Sequence, residues 1–168
     1  RRGDETGAQP KDIESVVATV SPFMQRLTGA AFTPGDNPQV SAQFNVRYSV
    51  ASTLLRRRFD ARDIEPAAVL DPSVLDLAKR VDVRVHESAG RFGPTRLEVF
   101  WRGGSGHAVT IHAPPGTPGD PLSVEQILAK AQAAFTQAAN PLSVTAADLL
   151  IQNLQSLERC PRVSVLLD

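Results

Sequence analysis

Few residues of this 168-residue chain have types and spacing suited to chemistry. The three histidines, His86, His107 and His112, have no acidic or cysteine neighbour at the spacing of a metal site, and all fall in runs that read as strands, so polar strand positions account for them. Cys160 is the single cysteine and stands before Pro161; a nucleophilic thiol needs a partnering base, and the sequence offers none near it. Gly103-Gly104-Ser105-Gly106 superficially resembles a phosphate cradle, yet it has no lysine and no following helix, which makes it a hairpin turn. Arg56-Arg57-Arg58 can meet a carboxylate or simply close a helix in solvent. Tyr48 is the one tyrosine and sits on an apolar stripe, where a core residue with a bonded hydroxyl is the default. No metal site is expected.

The stretch that must position Tyr48 is ambiguous by periodicity. Val40, Ala42, Phe44, Val46, Tyr48 and Val50 alternate with polar residues as in a strand. Phe44, Tyr48, Ala51, Leu54 and Leu55 also form one helical stripe that ends in the three arginines.

A resemblance resolves the choice. Ala42-Gln43-Phe44-Asn45-Val46-Arg47-Tyr48-Ser49-Val50-Ala51 is similar to the signature segment of the MmgE/PrpD family, AKFSxPYxVA, which is helical. Pro10-Lys11-Asp12-Ile13-Glu14-Ser15-Val16 resembles the family's PEDIxxV strand entry, and Pro115 to Ser123 resembles its PxGxPxNPLS loop. The departures are Gln43 for Lys, Asn45 for Ser and Arg47 for Pro. The family includes 2-methylcitrate dehydratases, cis-aconitate decarboxylases and iminodisuccinate epimerases. The likeness covers nearly all of this chain but only the C-terminal part of a member. It implies a helix over Ala42 to Arg57 and places Tyr48 at the cleft between two domains, where a phenol donates to a substrate carboxylate or takes part in proton transfer. It also implies a small carboxylic acid substrate, a preceding helical domain that carries the base, a homodimer and cofactor-free chemistry.

Around that centre the rest of the chain reads as an α+β fold, with an antiparallel sheet of about four strands flanked by helices. Arg1 to Lys11 is polar and aperiodic and is expected as a disordered lead-in; its Arg2-Gly3-Asp4 triplet is too short to be specific. Residues 12–121 form the expected α+β domain and 122–168 a C-terminal helical segment. Ile13 to Ser21 is the first strand, and Asp63 and Asp71 each precede a short helix. Runs at Val81, Thr95 and His107 alternate as three strands of a meander, with Trp101 and Ile111 expected on the covered side. Ser123 to Gln126 is a capping box, and Thr145 opens a last helix with Leu150, Ile151, Leu154 and Leu157 inward, closed by Cys160-Pro161. The resemblance implies that these helices pack on the preceding domain, which leaves part of their apolar face uncovered in this chain.

Composition narrows the partners. With 18 basic and 18 acidic residues there is no net field to attract nucleic acid or an anionic membrane. No apolar run has the length of a membrane span, and one cysteine makes no internal disulfide, so a cytoplasmic setting is expected. The chain begins with Arg1 and its one methionine is Met24, which suggests a piece of a longer product. Two functions follow. One is the C-terminal domain of a lyase or isomerase, inactive in isolation; the other is a non-catalytic interaction or assembly module derived from the family.

Overall fold

The strand Ile13–Val20 (β1) has buried residues on both of its faces, with Val16 and Ala18 on one and Val17 on the other. A strand apolar on both sides belongs in the interior of a sheet, and a computed structural model, which describes residues 9–87, 90–159, 162 and 164, places it there. The sheet order is β2-β1-β3-β4, where β2 is Val81–Val85, β3 is Thr95–Trp101 and β4 is Gly106–Ile111. β1 pairs parallel with β2, from Val16 opposite Val81 to Val20 opposite Val85. It pairs antiparallel with β3, where Val16 meets Val99 and Thr19 meets Arg96.

The sheet is therefore mixed, and the expected meander is corrected: β3 and β4 form a hairpin, but β2 lies across β1 from them. The alternation in Val81–Val85 reports only that one face is covered and cannot name the neighbour. The long helical connection from β1 to β2 supplies the crossover that a parallel pair requires. The β3–β4 turn runs through Gly103 and Gly104 at φ 101° and 87°, which only glycine adopts without strain, and Trp101 donates across it to the Ser105 carbonyl at 2.9 Å.

Seven α-helices accompany the strands among the described residues. After Pro22–Thr28 (α1), the signature stretch forms Pro38–Gln43 (α2) and Val46–Arg56 (α3), followed by Pro66–Val69 (α4) and Pro72–Lys79 (α5). The core joins β1, β2 and β3 to these helices through Val16, Ala18, Val81 and Val99 from the sheet, and Tyr48, Ala51, Val74 and Leu77 from α3 and α5. Asp71 caps α5 by accepting from the Ser73 N–H at 2.9 Å, and Pro72 follows it at the first helical position.

Trp101 is half-buried against this core, but Ile111 is 47% exposed, so its expected cover is corrected. It shares the helix-facing side through its register with Thr95, yet β4 is the edge strand and is exposed along its whole length.

The chain divides into two compact units, Arg1–Pro114 and Pro115–Asp168, and the division falls at the start of a proline-rich stretch. The second unit holds Val124–Gln137 (α6) and Val144–Gln155 (α7). The capping box at α6 forms as expected: Gln126 N–H donates to Ser123 Oγ at 3.2 Å, and Ser123 N–H donates to Gln126 Oε1 at 2.8 Å. α7 starts one residue before Thr145 because Ser143 is its cap. Ala147 is its buried residue, Leu150 and Ile151 are half-buried, and the expected inward Leu154 and Leu157 are exposed. Cys160-Pro161 and residues 1–8 lie outside the described residues.

Candidate functional site

The signature stretch is helical, as the resemblance implies, but it is two helices rather than one over Ala42 to Arg57. The break has a local cause. Asn45 leaves helical geometry at φ −134° and ψ 116°, and its side-chain oxygen accepts from the Tyr48 N–H at 3.1 Å, which starts α3 afresh. Its amide nitrogen donates to the Ala30 carbonyl at 3.0 Å and ties the cap to the preceding loop. Phe44 closes α2 and is exposed, so the buried side of the pair consists of Ala42, Tyr48, Ala51 and Ser52 instead of the stripe that began at Phe44.

Tyr48 is 0% exposed. Its ring lies 4.9 Å from that of Phe32 and 6.3 Å from that of Phe59, and its hydroxyl donates to the Asp63 carbonyl. Arg56 is the charged side chain beside that phenol. Within this unit, Tyr48 joins α3 to the segment that follows it.

That segment is organised by a buried carboxylate. Asp63 lies in the 3-10 helix Ala61–Ile64 and is 1% exposed. It accepts from the Asp60 N–H at 2.8 Å and from Arg58 at 2.9 Å, and Arg56 approaches it at 3.4 Å. Arg56 also bonds Ser52 Oγ at 3.0 Å, the Ala68 carbonyl at 2.9 Å and Asp71 at 3.2 Å, while Arg62 grips Asp60 at 2.7 and 3.0 Å. The Arg62 guanidinium holds the Asp60 carboxyl well below the usual carboxylate range. Burial pushes Asp71 the other way, but the Ser73 N–H and Arg56 outweigh it and the carboxyl is lowered.

Arg56 and Arg58 are therefore spent on internal aspartates, and a substrate carboxylate must displace one to bind there. Sequence reasoning took Asp63 only as a helix start. The signal that marks it as a hub is the dense alternation of charge from Arg56 through Arg58, Asp60 and Arg62 to Asp63.

The histidines lie elsewhere. His107 is on β4, while His86 and His112 follow β2 and β4; all three are exposed. Among the described residues no three of His, Cys, Asp and Glu gather as a metal site requires, and no helix is long and apolar enough to cross a membrane. The family model described as MmgE/PrpD C-terminal domain matches residues 2–155. No curated protein matches the chain.

Proposed function

This chain belongs to the MmgE/PrpD family, whose C-terminal domain it carries over residues 2–155, and on that premise we propose that it forms one wall of an interdomain active site. The enzyme would be a cofactor-independent lyase or isomerase that removes or relocates a proton beside a carboxylate of a small di- or tricarboxylic acid, in a cytoplasmic homodimer. The observation that carries this reading is the extent of the family match. It includes the helical signature around Tyr48 and reaches the last residue of α7.

Proton abstraction requires a base within about 2.6–3.2 Å of the carbon acid's hydrogen. The histidines lie on or just after strands β2 and β4 and are exposed, whereas the phenol of Tyr48 is held by Asp63. We therefore assign the base to the helical domain that precedes this part in the family. The exposed apolar residues Val124, Ile127, Val144 and Leu149 of α6 and α7 agree with a surface that such a domain covers. The second reading, a non-catalytic module, is favoured by the enclosed hydroxyl of Tyr48 and the internally neutralised arginines.

Deuterium wash-in separates the two. The chain joined to the helical domain of a family member and incubated in D2O with 2-methylcitrate, cis-aconitate or iminodisuccinate is expected to label the carbon beside a carboxylate of one of them. A folded joined protein that labels none supports the module and ends the lyase reading.

A further inference from the structure

A second group of cations lies away from the Asp63 network. Arg56, Arg58, Arg62, Arg80, Arg84 and Arg96 each bond an aspartate or glutamate. Arg26 and Arg91 have no carboxylate partner among the described residues, and with Pro22 and Phe23 they line one open cleft of 480 Å³.

The cleft is preorganised by a buried hydroxyl. Ser21 is 0% exposed; its Oγ accepts from the Met24 N–H at 3.2 Å, which starts α1, and donates to the Arg91 carbonyl at 2.9 Å. The turn that carries Arg91 is closed by Gly93 donating to the Gly90 carbonyl at 2.8 Å. The Arg91 guanidinium lies 4.2 Å over the Phe23 ring and 5.3 Å from that of Phe92, and the two rings pack edge to face at 5.8 Å. Stacking occupies the face of a guanidinium and leaves its in-plane N–H donors for a forked acceptor. Arg26 brings a second such fork from α1.

We propose that Arg26 and Arg91 form a binding site for a small di- or tricarboxylate, one guanidinium to each of two carboxylates. The choice of carboxylate over another anion rests on the reading of the chain as part of a carboxylic acid lyase. The cationic lining, acid-free among the described residues, stands without it.

The test is titration of the full 168-residue chain with citrate at low ionic strength, followed by amide shifts at Ser21, Phe23 and Gly93. Saturable binding is expected, with acetate at least about tenfold weaker and with Arg26→Gln and Arg91→Gln each weakening citrate by about tenfold or more. Both side chains are exposed, so both variants are expected to keep the parent unfolding midpoint. Equal binding of citrate and acetate, or citrate binding unmoved by either variant, overturns the site. Phosphate that saturates the cleft where citrate does not overturns the carboxylate assignment. In the joined enzyme, turnover that survives both variants removes this site and leaves the lyase reading standing. Citrate held at this cleft by a joined protein that turns over nothing does the reverse.

Discussion

The hydroxyl of Tyr48 has one acceptor, the carbonyl of a residue that is 1% exposed, and loss of that bond strands a buried oxygen. Tyr48→Phe is expected to lower stability by about 1–3 kcal/mol, read as a shift in denaturant midpoint. Turnover of the joined enzyme is expected to change less than about tenfold, because an enclosed phenol packs rather than transfers protons; a fall of about 10²-fold at unchanged stability would instead put it in the chemistry. The neighbouring carboxylate is under greater strain when altered. Asp63→Asn leaves Arg56 and Arg58 facing a neutral amide, and since Arg58 is partly in solvent the expected loss is about 2–3 kcal/mol, below the figure for a fully buried pair. The same network sets the acid limit. Asp60 and Asp71 have folded-state values below their ordinary ones, so each contributes stability that is complete above about pH 4 and is lost as pH falls through the folded value. Thermal midpoints are expected to be level from neutral pH down to about 5 and to fall below about 4, with a shallower fall in Asp60→Asn.

At the scale of elements, the helix break at Asn45 is what separates a correct assignment of type from a correct assignment of extent. The helical identity of the signature was legible only through the family likeness, because Val40 to Val50 fits a strand equally well. The division into α2 and α3 was readable in principle from an asparagine with N-cap chemistry, but a continuous stripe from Phe44 to Leu55 masked it. Asn45→Ala removes both the cap to Tyr48 and the bond to Ala30 and is expected to cost about 1–2 kcal/mol. Asn45→Ser keeps an acceptor and is expected to cost less than half of that, which restores the residue type usual in the family. A larger loss for serine than for alanine would mean that the cap does not hold α3. The capping box at α6 and the β3–β4 turn were legible because their signals are local. The parallel β1–β2 pair was not, because alternation along Val81–Val85 records a covered face and no partner.

For the whole molecule, the first unit has a core that closes around β1, whereas Ala147 is the one buried residue among those described in the second, where Val124 is 61% and Val144 63% exposed. Val124, Ile127, Leu128 and Phe135 recur at helical spacing and α6 forms over them, but Val124 and Ile127 are exposed because a stripe does not specify what covers it. Arg26 and Arg91 went unnoticed for a similar reason. They are far apart in the chain, and it is the Ser21 bond to Arg91 and the packing of Phe23 against Arg91 and Phe92 that bring α1 and the second residue's turn together. The central claim is that this chain supplies a wall and carboxylate contacts but no base. Its most direct test is turnover of 2-methylcitrate and cis-aconitate by the folded 168-residue chain, assayed alone and joined to the helical domain of a family member. No turnover alone and turnover by the joined protein is the expected result; turnover by the isolated chain would contradict it.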